Sequence, residues 1–264
     1  MLKAGVSCRK ERSEVSMSEE LIRTEMLLGS DALTRLQRAH VAVFGIGGVG
    51  GHVVEVLARS GVGELTLVDS DRVNLSNLNR QIIATHDTIG QNKVEAAAAR
   101  VRAIRPACIV HTFPLRYEDT NRELFFAQHY DYIADCIDLV KCKIDLICTA
   151  LERDIPILSA MGTGNKVDPF QLRITDLSKT EGCHLARVMR RELRSRGILH
   201  TKVLFSPEVP RRPQLEVEHD PGRRSTPASC AWVPACAGLM MGGYIVQALA
   251  ALPETTENRK DEIQ

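Results

Sequence analysis

Val41-Ala-Val-Phe-Gly45-Ile-Gly-Gly-Val-Gly50 is the stretch that decides the fold. Its apolar first half reads as a short buried strand. Its closely spaced glycines lead into a helix running through about residue 59. Glycine lets the backbone turn tightly and come close to a phosphate. The helix after it offers unpaired N–H groups and a partial positive charge. A second strand covers residues 64–68 and ends at Asp69, roughly twenty residues beyond the glycines, where an acidic side chain can hold ribose hydroxyls. The glycines alone also fit an NAD enzyme; their context favours a nucleotide site over a structural turn.

Working outward, strands and helices alternate. The spacing of Leu27, Leu28, Leu33 and Leu36 predicts a helix over 21–37. A helix is expected over 92–104, ended by Pro106, then strands at 109–113 and 132–134, a helix over 140–153 and a strand at 155–159. This order predicts an α/β, Rossmann-like, mostly parallel sheet with helices on both faces. A C-terminal extension comes next: a strand at 171–175, a basic helix over 184–196, an exposed mobile loop at 206–228 and an apolar helix over 235–252. The expected organisation is a disordered leader (1–17), a nucleotide-binding Rossmann-like core (18–165), a C-terminal part of the same domain (166–252) and a tail (253–264).

Lys and Arg number 34 against 33 Asp and Glu, so no global field draws the chain to nucleic acid and any such contact needs a local patch. Aromatic residues make up 4%, too few for a base-stacking platform. None of the eight cysteines forms a Cys-x-x-Cys pair, which argues against a zinc clip. Residues 1–20 are polar and charged, without a secretory signal, so a reduced, cytoplasmic protein is expected. The apolar run 235–252 is at the short edge of bilayer-spanning length. Its glycines suit close packing in a core or dimer interface, and no membrane insertion is expected.

The chemistry is read from the polar residues after Asp69, in Asp-x-Asp-x-Val-x-x-Ser-Asn-Leu-Asn-Arg-Gln81. Asp71, Asn74, Ser76, Asn77, Asn79, Arg80 and Gln81 form a donor-rich stretch, with Lys93 at the next helix. Hydride transfer needs no such cations. Attack on an α-phosphate does, because negative charge gathers on phosphoryl oxygens and pyrophosphate must leave. Asp135-Cys-Ile-Asp138 closes another strand at the end where open α/β sheets bind ligands. Asp138 suits Mg²⁺ on ATP phosphates or a helix N-cap, and Asp135 can cap the segment after it.

Gly45, Gly47, Gly48 and Gly50, with Asp69, Ser76 to Gln81, Lys93 and Asp135 to Asp138, together resemble the ubiquitin-activating-enzyme-like superfamily, whose small bacterial members adenylate carboxylates. Arg23, in Arg-Thr-Glu-Met-Leu-Leu-Gly29, resembles the superfamily's N-terminal arginine, which reaches ATP phosphates across a homodimer interface. The branch that activates the Gly-Gly end of sulfur-carrier proteins typically has paired Cys-x-x-Cys motifs, absent here. The second half instead resembles the tRNA threonylcarbamoyladenosine dehydratase family. The resemblance is carried by Ser159-Ala-Met-Gly-Thr-Gly-Asn-Lys-Val-Asp-Pro169, Asp176-Leu-Ser-Lys-Thr180, 183–194 and Val233-Pro-Ala-Cys-Ala-Gly238.

That resemblance implies ATP and Mg²⁺ as cofactors, a tRNA substrate, a homodimer and a sulfur-relay partner. It implies that Arg80, Lys93 and Asp138 stabilise charge on the α-phosphate, Asn77 orients phosphate oxygens and Asp69 holds the ribose. Arg187, Arg190, Arg191 and Arg194 recur at helical spacing; with the resemblance, this basic face is expected to meet tRNA phosphates, joined by Arg196 and Lys202 and by loop residues Arg211, Arg212, Arg223 and Arg224. Cys183, Cys230 and Cys236 are read as inert thiols.

Overall fold

The computed structural model describes residues 19–215 and 227–252. The expected leader, the tail and the middle of the 206–228 loop, with Arg223 and Arg224, lie outside the described residues. In chain order the elements are α1 (Ile22–Leu28), α2 (Ser30–Arg38), β1 (His40–Phe44), α3 (Gly50–Arg59), β2 (Glu64–Val68), α4 (Lys93–Ile104), β3 (Ile109–Phe113), α5 (Arg122–Phe125), β4 (Tyr132–Asp135), α6 (Val140–Glu152), β5 (Ile157–Ala160), β6 (Arg173–Asp176), α7 (His184–Arg194), β7 (Lys202–Phe205) and α8 (Trp232–Leu249).

Seven strands form one sheet in the order β3-β2-β1-β4-β5-β7-β6. All pairings are parallel except β6 with β7. From β1 the sheet grows first through β2 and β3, then on the other side through β4 and β5. The order therefore reverses at β1 and β4, where a crevice opens beyond the strand ends. The expected Rossmann-like fold is the observed one.

Side chains alternate across the sheet because the strand period is two. Val41, Val43, Leu65 and Leu67 face a core shared with α3, α4 and α8. Ala42, Phe44 and Ile133 face the opposite layer, built by α6, α7 and an aromatic group. In that group the Phe44 ring lies 5.3 Å from Tyr117 and 6.0 Å from Phe125.

The final helix packs on α3, as the buried-helix reading expects. A Cβ on Gly238 would lie 2.3 Å from the Val49 carbonyl oxygen, and one on Gly242 would lie 2.6 Å from Val56 Cβ. Those two glycines set how closely the helices approach.

Three expectations change. The helix over 21–37 is two helices, broken at Gly29, whose φ of 86° and ψ of 160° no helix can hold. The short helix α5 went unrecognised. So did β7, four residues of which three are apolar, between a basic segment and a proline-rich one, which forms a strand only because β5 and β6 flank it.

Candidate active site

The glycine loop leaves β1 at the reversal point. Gly45 has φ +89°, and a Cβ there would stand 2.6 Å from the Cys136 carbonyl oxygen. Only glycine meets both demands. Gly50 begins α3, and its Cβ position lies 1.8 Å from the Gly45 carbonyl oxygen, so it closes the loop from behind. Gly47 and Gly48 face a cavity of about 490 Å³.

Asp69 ties this loop to the polar stretch. Its Oδ2 accepts the Ile46 N–H at 2.7 Å and its Oδ1 the Asp71 N–H at 2.8 Å. Burial pushes the Asp69 carboxyl above its ordinary value, while Lys93 opposes the shift. Lys93 is 6% exposed; its Nζ lies 2.7 Å from Asp71 Oδ2 and 4.0 Å from Asp69 Oδ1. Its own N–H donates to the Asp71 carbonyl at 3.0 Å, so the start of α4 is pinned against the stretch.

Arg80 is held by neutral oxygens, donating to the Ser76 carbonyl at 2.9 Å and Asn79 Oδ1 at 2.8 Å. Burial lowers its pKa. Among the described residues no carboxylate forms an ion pair with it, so its charge is presented to the cavity. Asn77 caps its own turn, accepting the Asn74 N–H at 3.0 Å. Gln81 lines the same space, and its Oε1 is buried with no partner among the described residues.

Asp138 enters from the end of β4 and lines the cavity together with Asp69, Asp71, Ser76, Asn77, Arg80, Gln81 and Lys93. Its carboxylate is a hard oxygen donor of the kind Mg²⁺ takes, so the donor chemistry fits that ion. Asp135, three residues earlier, is fully buried. Its Oδ1 accepts the Ile137 N–H at 3.1 Å, the capping role expected of it, and its Oδ2 lies 2.6 Å from Lys143 Nζ. Ser159 Oγ donates to the same oxygen at 2.5 Å.

Sequence reasoning missed Lys143 and Ser159 as site supports. A signal existed: Lys143 occupies the inward face of α6, in step with Ile144 and Ile147. Leu115, Arg116 and Tyr117 also line the cavity unforeseen, as do Met161 to Gly164. Folding alone brings these segments to one crevice.

Other predicted residues lie apart. Arg23 is exposed on α1 and does not line the cavity. On α7, Ala186, Met189 and Leu193 are buried, while Arg187, Arg191 and Arg194 are exposed. Arg190 departs from the expected outward face. It is half-buried and donates to the Thr180 carbonyl and hydroxyl. Arg191 and Arg196 both pair with Glu192, at 3.0 and 3.4 Å. Cys183 is buried, and Cys230 and Cys236 are half-buried free thiols.

Known proteins share this fold. The chain is 40% identical to the tRNA threonylcarbamoyladenosine dehydratase of Bacillus subtilis, over 88% of this chain and 95% of that one. It superposes on the crystal structure of the Escherichia coli tRNA N6-threonylcarbamoyladenosine dehydratase in complex with ATP with a TM-score of 0.80, at 33% identity over 88% of this chain and 94% of that one. For the E. coli complex with AMP the TM-score is 0.79, at 34% identity, covering 87% and 93% of the two chains. The family model described as "ThiF family" matches residues 20–262, and this chain belongs to the ThiF family.

Proposed function

We propose that this chain is an ATP-dependent enzyme that cyclises threonylcarbamoyladenosine in tRNA, with net loss of water, by adenylating the threonine carboxylate. One observation carries the reading: Arg80, Lys93 and Asp138 converge with the glycine loop on one cavity, in a chain similar over most of its length to dehydratases bearing that name.

A carboxylate resists attack because it would have to expel oxide. In the first step a carboxylate oxygen attacks the ATP α-phosphorus and pyrophosphate leaves, giving an acyl adenylate. In the second, the carbamoyl group of the same molecule attacks the activated carbonyl and AMP leaves, carrying away the oxygen. Ring closure gains from proximity, since the attacking group is already tethered.

The chain's own residues divide this work. The loop amides and the α3 N-terminus receive phosphate oxygens. Lys93 and Arg80 stabilise the charge that gathers on the α-phosphate. Asn77 orients phosphate oxygens and Asp69, anchoring the loop, meets the ribose. Asp138 would hold Mg²⁺, which when bound would offset phosphate charge. In a homodimer, Arg23 of a second copy completes the phosphate site; the exposed α7 arginines meet tRNA phosphates in the cytoplasm, and a sulfur-relay protein is a further partner. Activation of a carrier protein's Gly-Gly end is the second reading, and the missing Cys-x-x-Cys pairs weigh against it.

The test combines purified protein, ATP, Mg²⁺ and tRNA carrying the linear nucleoside. A nucleoside lighter by one water, with AMP and pyrophosphate formed, supports the reading. AMP formation only with a Gly-Gly-ended carrier and no mass loss in the tRNA overturns it.

A further inference from the structure

At the end of the sheet opposite the nucleotide crevice, β1, β2 and β3 carry His40, Glu64 and His111 on one face. Strand register puts them there: His40 pairs with Glu64, and Thr66, two residues on, pairs with His111. One ligand atom from each of the three side chains lies within 4.8 Å of the others. His111 Nε2 is 2.7 Å and His40 Nδ1 3.6 Å from Glu64 Oε1.

We infer that His40, Glu64 and His111 form a binding site for a divalent first-row transition metal of the Zn²⁺ class, separate from the nucleotide crevice. Two imidazoles and a carboxylate are a donor set such ions take, with water completing the shell.

The surroundings of His40 support this. His40 is 7% exposed, and its ring stands edge-on to Tyr130, with centroids 4.9 Å apart. Nε2 lies 2.8 Å from Thr66 Oγ1. The tautomer protonated at Nε2 donates to that hydroxyl and turns the Nδ1 lone pair toward Glu64. Such an outer partner is what orients metal-binding histidines. The backbone at the site is held too, since the His40 N–H donates to Asp131 Oδ2 at 2.8 Å.

The ion would join the first three strands where they start. It takes no part in adenylation, so its test is independent of the proposed reaction. Metal-stripped full-length protein is titrated with Zn²⁺ by calorimetry and with Co²⁺ by visible absorption. One saturable equivalent with a nitrogen and oxygen spectrum is expected, together with a rise in the thermal midpoint. His111→Ala and Glu64→Ala should each remove both signals while ATP binding persists. Thr66→Val should weaken affinity ~10–100-fold. No saturable binding, thiolate absorption in the Co²⁺ spectrum, or binding unchanged in Glu64→Ala overturns the site. Should His111→Ala not fold, Glu64→Ala decides alone.

Discussion

Lys143 Nζ lies 2.6 Å from Asp135 Oδ2 with both side chains wholly out of water. The pair sits directly behind the Cys136–Asp138 turn, and Ile137 is bonded to the other Asp135 oxygen. A buried ion pair adds little stability over an apolar replacement, but breaking it on one side leaves a buried charge without compensation.

Lys143→Met should therefore cost about 3–5 kcal/mol of stability. Asp135→Leu with Lys143→Met should recover a large part of that loss, yet leave the Asp138 turn unanchored and ATP binding weakened. Urea unfolding and nucleotide titration of both variants check this. A single variant as stable as the parent would contradict the burial.

Lys93 is asked to stabilise charge developing in adenylation. Lys93→Met should lower the rate of ATP–pyrophosphate exchange by ~10²–10³-fold, the usual cost of removing one electrostatic stabiliser. The affinity for AMP should change far less, which separates this role from simple binding. Exchange kinetics and AMP calorimetry on the same preparation give both numbers.

Gly45→Ala meets two penalties at once: a backbone at φ +89° and a Cβ driven 2.6 Å from the Cys136 carbonyl oxygen. The strain alone is on the order of 1–3 kcal/mol. Thermal unfolding should shift down and ATP affinity should fall together. A variant with parental ATP affinity would show that the loop does not cradle phosphate.

Glu55 is buried against Arg59 at 2.7 Å and Arg100 at 2.6 Å. Burial pushes its carboxyl up, but hydrogen bonds from the two arginines outweigh that and leave it below its ordinary value of 4.5. A depressed carboxyl adds stability that is present above 4.5 and lost as pH falls through the lower folded value. Glu55→Gln should cost about 1–2 kcal/mol at neutral pH. The gap between variant and parent should narrow below pH 4.5 in acid titrations of unfolding.

The α7 arginines separate by environment. Arg187→Gln, Arg191→Gln and Arg194→Gln should weaken tRNA binding and reduce its salt dependence, because each phosphate left without its arginine lowers the slope by somewhat under one unit. Arg190→Gln should instead lower stability, because that guanidinium holds Thr180. Filter binding across a salt series, set beside unfolding midpoints, distinguishes the two classes. Equal effects of all four on tRNA would refute it.

Much was legible because it is local. The glycine run, Asp69 and the 71–81 stretch lie in one continuous segment, and β2 and β3 begin and end where residue type and spacing place them. Other features escaped because neighbours decide them. Gly29 breaks a pattern whose leucines keep helical spacing on both sides. The Lys202–Phe205 strand is too short to stand out without β5 and β6 beside it. Arg190 shares its spacing with three outward arginines, and only Thr180 distinguishes it.

By itself the amino-acid order determined the layered fold and the nucleotide-handling chemistry, since alternating apolar periods and glycine conformation are properties of adjacent residues. Tertiary structure alone decided that Lys143 neutralises Asp135, that Arg116 and Tyr117 share the crevice with Lys93, and that His40, Glu64 and His111 meet at one end of the sheet. Those pairings join residues far apart in the chain, and strand register and burial bring their charges within reach.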